Sequence, residues 1–371
     1  MLSSQLHIKK GWWSFVLFLT LPCMLVQFVS AQDLQLADAQ VLVAEEEQYT
    51  SPVIFDAQEI IDLEVKADLT LMFADRDDDL EEYPGSVTLR LASGEEVVQP
   101  VQVRLRGNFR KKEEHCGFPP LRLNFKKKEV KGTLFEGLDK VKLVTHCQDW
   151  RKANNQLVLL EYLAYKMYNE ITPLSFNVRL ANMTYVDESG KRKPVNRFGF
   201  IIEDDDDMAA RNGGEIIEKA VFHQDSTEYD QITRLSLFQY LIGNTDWSVP
   251  ALHNIRLVDR EGDDELWPVP YDFDFSGLVN APYAVPPKNL PITDVRVRLF
   301  RGYCRTEEEL QPHLDHFIAQ EDAIKATIDN FDEMQDKYRK RARSYVNKFY
   351  KTIKSEKRTK KQLLKSCRKD L

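Results

Sequence analysis

No Cys-x-x-Cys pair and no Cys/His spacing that suggests zinc occurs in the 371 residues, which sets structural zinc aside. No G-x-G-x-x-G, V-A-I-K or H-R-D string is present, so the phosphate loop and catalytic signatures of an ordinary protein kinase are missing. There is no internal repeat, and solenoids and propellers drop out with it. Past residue 31 no apolar run is long enough to span a bilayer. The acidic string "EDDDD" at 203–207 has no Gly where an EF-hand loop needs one. It reads instead as an acidic helix start, where carboxylates suit the dipole. "HLDH" at 313–316 is a lone His pair in a helical stretch and reads as surface.

What remains is the composition of a globular protein, 43% hydrophobic and 30% charged, with length for two lobes and a sizeable core. The first 31 residues combine Lys9 and Lys10, the apolar run "GWWSFVLFLTLPCMLVQFV" and small residues in "VSAQ". This is the build of a cleaved signal peptide, with a retained membrane anchor as the rival. The expectation is a secreted or periplasmic protein with no membrane span after cleavage. Cys23 leaves with the signal, and Cys116, Cys147, Cys304 and Cys367 remain. Four cysteines allow three pairings. Cys116 and Cys147 bracket what reads as a strand hairpin and are the favoured disulfide, and four free thiols are the alternative.

Charge is unevenly spread. Residues 337–371 hold 15 Lys and Arg against two acids, a net of +13, and the body between the signal and this tail carries −23. Such a tail suits intramolecular contact, envelope attachment, nucleic-acid contact or a solvated helix. Tyr345, Phe349 and Tyr350 fit one helix face rather than a stacking surface, so nucleic acid is not an expected partner.

Residues 32–50 read as a flexible acidic segment. Residues 51–203 form a β-rich lobe, with strands in "EVKADLTLMF", "SVTLRLA", "VVQPVQVRLRG", "PLRLNFKK" and "KVKLVTH" that alternate between breakers. One helix, "NNQLVLLEYLAYKMYNEI", then precedes two strands around "DESGK". Residues 204–304 hold helices at about 205–211 and 229–243 and a short β pair. Residues 305–371 are helical with the basic tail. This order predicts an α+β, two-lobed, protein-kinase-like fold: a β-rich lobe with one helix on a mostly helical lobe ending in long helices.

The chemistry concentrates in "GNTDWSVPALHN" (243–254) and "VPYDFDFSG" (269–277). Asp272 and Asp274 are two apart, which in a strand puts both carboxylates on one face. There they repel unless a cation lies between them or one is protonated. Oxygen donors of this kind favour magnesium, manganese or calcium. Asn254 adds a neutral oxygen, and Asp246 stands where a loop leaves an apolar helix. A loop Asp, an Asn further on and a strand Asp make up the parts of phosphoryl transfer, although Asn254 lies eight residues past Asp246 rather than at the shorter kinase interval.

"IGNTDWSVPALHNIRLV…WPVPYDFDFSG", with "VRLRGNFR" and "FPPLRLNF" upstream, resembles the spore-coat-protein-H (CotH) type of atypical secreted kinase over roughly residues 100–280. The chain is also similar to a broad uncharacterised group of secreted bacterial proteins with "LVTHC", "EYLAYK" and "VPYDFD" segments. The CotH resemblance implies Asp246 as the catalytic residue, with Asn254 and Asp272 holding magnesium or manganese and Asp274 beside them. It places Arg106, Asn108 and Arg122 at the phosphates of ATP. It pairs Glu161 with Arg122 or Lys142, and it puts Glu203 where a hinge meets adenine. The implied partners are a nucleotide and a hydroxyl-bearing acceptor, protein among them. Two alternatives stand: a noncatalytic envelope protein on a kinase-like scaffold binding calcium structurally, and a metal-dependent hydrolase, which lacks a His-rich ligand set.

Overall fold

The computed structural model describes residues 49, 51–76, 80–91, 93–148, 153–217 and 227–369, all within a compact unit spanning residues 49–371. The expected signal segment, and the acidic segment apart from Tyr49, lie outside the described residues.

Seven strands close into a barrel. They are β1 (Ile61–Ala67), β2 (Tyr83–Arg90), β3 (Glu96–Leu105), β4 (Leu121–Asn124), β5 (Lys140–Val144), β6 (Val178–Asp187) and β7 (Val195–Ile202), in the order β1-β2-β3-β4-β5-β7-β6. Every pairing is antiparallel except the closing one, where β1 lies parallel to β6 from Ile61↔Ala181 to Ala67↔Asp187. The two-lobed kinase-like fold expected from the element order is therefore incorrect. Such a lobe carries an open sheet, whereas here the edge of β1 is consumed by β6. Closure leaves no exposed edge to template aggregation. The alternating strand residues fill the barrel with Leu63, Val65, Val87, Leu89, Val103, Leu123 and Tyr185, all nearly or fully buried.

The segment "EVKADLTLMF" is not one strand. β1 ends at Ala67, and α1 (Leu69–Ala74) follows. Asp68 caps it by accepting from Leu71 N at 2.8 Å, which satisfies a free donor of the first turn. Leu69, Met72 and Phe73 are buried at helical spacing. Asp187, on the closing rung, accepts from Thr70 N and Oγ1 at 3.1 and 2.9 Å and from Ser189, Lys191 and Arg192. One carboxylate thus ties the start of α1 to the turn between β6 and β7.

Helix α2 (Ala153–Asn169) packs on the barrel at β7 and joins the second core. After α3 (Asp205–Arg211), a small sheet of β8 (Gly214–Ile216), β9 (Ile255–Arg260) and β10 (Trp267–Pro270) lies beside α4 (Tyr229–Ile242). The helical remainder comprises α5 (Glu307–Ala319), α6 (Glu321–Asp329), α7 (Asp336–Ile353) and α8 (Glu356–Thr359), the last running into a π-turn at Lys360–Leu364. His313 is 5% exposed, near Asp230, and His316 bonds Ile171 O at 2.8 Å. The surface reading of "HLDH" therefore fails for His313.

Cys116 pairs with Cys147, the favoured pairing, and Cys304 with Cys367. Two disulfides suit an extracellular protein. Among the described residues no helix is long and apolar enough to cross a membrane.

Candidate functional site

A cleft of about 670 Å³ opens where the barrel faces the loops around β9 and β10. Its barrel wall is basic because of strand register. Arg104 on β3 pairs with Arg122 on β4, and Arg122 pairs with Lys142 on β5. Side chains of directly opposed residues share a face, so three cations stand in a row. Arg106, two residues beyond Arg104, continues it, and all four line the cleft. Three of the four have a carboxylate in range, two of them only at its limit. Arg104 lies 4.0 Å from Glu82 and Arg122 3.9 Å from Asp204. Burial, then the neighbouring Arg122, hold the Arg104 guanidinium below its usual range.

Lys142 is the deepest of the row. It pairs with Asp205 and lies over the rings of Phe176 and Tyr271. Burial drives its pKa down to about 8 against the attraction of Asp205. Asp205 is held down, against its own burial, by Lys142 and Arg256 together. The two partners differ because one carboxylate serves two cations. Arg256 reaches Asp205 at 2.9 Å and the Tyr271 hydroxyl at 2.8 Å.

The opposite wall is a chain of oxygen donors. Helix α4 ends at Gly243 in the left-handed region, the usual helix stop, and the loop beyond presents Asp246. Its carboxylate meets His253 Nε2 at 2.9 Å and accepts from Asn254 Nδ2 at 3.1 Å. The hydrogen bond to Asp246 raises the pKa of His253. Asn254 also donates to the Asp246 carbonyl at 2.7 Å, and its own carbonyl receives Tyr271 N at 3.1 Å. This rung sets the Asn254 loop beside the end of β10.

Asp272 and Asp274 do not lie in a strand. β10 ends at Pro270, and Asp272 has φ +62°, so strand alternation does not bring them together. A turn does so instead, and both side chains line the cleft. Tyr165 of α2 accepts from Asp272 N at 2.9 Å. A non-Gly residue at positive φ is uncommon, and such strain gathers at functional sites. Asp274 is 4% exposed. Burial, then Asp272, push its carboxyl up to about 7, opposed by Arg110 and the Tyr283 hydroxyl bonded to it at 2.9 Å.

Arg110 sits between the carboxylates, 3.7 Å from Glu161 and 3.8 Å from Asp274, and donates to Thr145 O at 2.5 Å. Burial works against its charge, but Tyr283, Asp274, Glu161 and Asp272 more than offset this and hold its pKa high. Burial and Asp274 raise the Glu161 carboxyl, opposed by Arg110.

The cleft thus gathers Asp246, Asn254, Asp272, Asp274, Arg106, Asn108, Arg122, Lys142 and Glu161. Glu203 stays apart. It is fully buried, bonded twice by Arg211 at 2.9 Å and by Asn177 N at 2.8 Å, and does not line the cleft. The expected partners of Glu161 are also corrected: it faces Arg110, while Lys142 serves Asp205 and Arg122 faces Asp204. Sequence reasoning missed Arg104, Arg110, His253, Arg256 and Tyr283. Arg104 was recoverable, since it alternates with Arg106 in "RLRG". Arg110 comes from an irregular loop, where spacing says nothing about partners.

Among the described residues no three His, Cys, Asp or Glu side chains gather as a metal cage. The donors present are carboxylates and an amide, the hard-oxygen type that suits magnesium or manganese when phosphate oxygens complete the shell. No protein-family model matches the chain, and no curated protein matches it either.

Proposed function

We propose that the cleft binds a nucleoside triphosphate such as ATP with a divalent cation, and transfers its terminal phosphoryl group to a hydroxyl acceptor, with protein hydroxyls the class to test first. One observation carries this reading: a row of four cations, two of them paired only at 3.9–4.0 Å, faces a wall of carboxylate and amide oxygens across a single cleft. A polyphosphate satisfies the first wall, and a hard cation joins it to the second. The reading rests on the site and not on the barrel, since one fold hosts many chemistries.

Arg104, Arg106, Arg122 and Lys142 take the phosphate charge. Asn254 and Asp272 hold the cation, with Asp274 behind them. When bound, the cation supplies electrostatic stabilisation of the phosphate oxygens. Asp246, oriented by Asn254 and His253, accepts the proton of the acceptor hydroxyl. The new O–P bond forms as the bond to the β–γ bridging oxygen breaks, and the nucleoside diphosphate leaves. Tyr165 fixes the backbone of Asp272, and Arg110 with Glu161 and Tyr283 holds Asp274. Catalysis on this account is positioning plus electrostatics.

The test is transfer of labelled terminal phosphate to a hydroxyl-rich acceptor protein, with and without magnesium or manganese. Asp246→Asn stops transfer and spares nucleotide binding, whereas Asp272→Ala loses metal-dependent binding. Undiminished transfer in both variants contradicts the assignment. Binding without transfer to any acceptor supports the noncatalytic alternative.

A further inference from the structure

The cleft leaves the basic C-terminal region unexplained. Helix α7 turns Ala342, Val346, Phe349 and Ile353 into the core, against α4 and α6. Its outer face carries Lys340, Lys348 and Lys351, all exposed, along a shallow groove of about 510 Å³. Beyond α7, Lys357, Lys361 and Lys365 are exposed at intervals of four along α8 and the π-turn. Among the described residues none of these six lysines has a carboxylate partner. The acids nearest the groove are taken: Asp329 by Arg343 at 2.8 Å and Asp336 by Arg339.

We infer that this face docks the protein onto an anionic phospholipid surface. Lys340 to Lys351 on α7 spread along about 17 Å, at about 1.5 Å per residue, which suits a flat sheet of headgroups rather than a point ligand. Lysine ammonium groups act as point charges and ask for no fixed geometry. None of the exposed large hydrophobic residues falls between 336 and 369, so the contact is electrostatic and does not insert. The same absence removes the stacking rings that single-stranded nucleic acid uses. The acidic body, net −23, is repelled by such a surface and turns the lysine face toward it.

The test uses residues 49–371, the compact unit, which keeps the apolar run near the N-terminus out of the measurement. Co-sedimentation is measured with vesicles of phosphatidylcholine alone and of phosphatidylcholine with phosphatidylglycerol. The expected result is binding only to the second, abolished by high salt. Combined Lys340→Glu, Lys348→Glu and Lys351→Glu should weaken partitioning about a hundredfold or more, at roughly one kilocalorie per lysine. The control reversals Lys128→Glu and Lys131→Glu, exposed in the connection between β4 and β5, leave it unchanged. Unfolding midpoints confirm that both variants fold. Equal binding to neutral vesicles, an equal effect of the control reversals, or binding to duplex DNA without binding to vesicles overturns the inference.

Discussion

Asn254 donates the same side-chain nitrogen to the Asp246 carbonyl at 2.7 Å and to its carboxylate at 3.1 Å. The donor side of the amide is spent on Asp246, and no described donor meets its oxygen. The backbone makes this possible: Asn254 has φ +55°, a conformation that asparagine tolerates better than most residues.

The first prediction concerns that backbone. Asn254→Ala loses both hydrogen bonds and gains strain, whereas Asn254→Gly loses only the bonds. Ala should be the less stable of the two by about 1 kcal/mol. Paired urea denaturation checks it, and equal midpoints would mean that φ at this position is not under strain.

The Asp187 carboxylate ties the start of α1 to the β6–β7 turn through side-chain and main-chain donors from Thr70, Ser189, Lys191 and Arg192. These hydrogen bonds outweigh burial and hold its carboxyl far below the ordinary value. Asp187→Asn should cost about 2–4 kcal/mol at neutral pH. The folded pKa is depressed, so the stabilisation is present above the unfolded value and lost as pH falls below about 4. The gap between variant and wild type should therefore narrow in acid, and a gap independent of pH would contradict the assignment.

The cation row predicts an exchange of stability for binding. Like charges directly opposite on adjacent strands are destabilising. Arg122→Gln, between Arg104 and Lys142, should leave the ligand-free protein as stable as wild type or more so, by up to about 1 kcal/mol. It should also weaken binding of a triphosphate. Thermal shift with and without ligand reads both effects, and loss of stability without ligand would mean that the row is structural.

Asp274 predicts a pH slope in the ligand-free protein. Its carboxyl is raised from 3.8 to about 7, first by burial and then by Asp272. A raised folded pKa means that the native state holds the extra proton, so stability falls as pH rises from about 4 to about 7. Asp274→Asn should remove this part of the slope, seen as a smaller loss between about pH 5 and about pH 8. Parallel wild-type and variant profiles would place the proton elsewhere.

Much of the element order was readable, because barrel strands alternate and α2 and α4 keep helical spacing. Closure was not. The pairing of Ile61 with Ala181 joins segments over a hundred residues apart, and local periodicity carries no register between them. "LTLMF" was misread as strand because a short apolar run is ambiguous by period alone. Asp68, three residues before Leu71, was the available capping signal. In the site, residue types pointed to Asp246, Asn254 and the two aspartates after β10. Their geometry was not readable, because left-handed conformations at Asn254 and Asp272, not strand alternation, shape the oxygen wall. Glu203 resembled a ligand-facing residue only by its place at a strand end, and Arg211, on the helix that follows, claims it.

The central claim, that the two walls of the cleft meet through a metal-bound polyphosphate, is tested most directly by calorimetric titration of residues 49–371 with ATP. The titration is run with and without magnesium or manganese, beside Asp272→Ala. The account predicts binding that requires the metal and disappears in the variant while the variant remains folded. Metal-independent binding, or no binding by a folded wild-type protein, would contradict it.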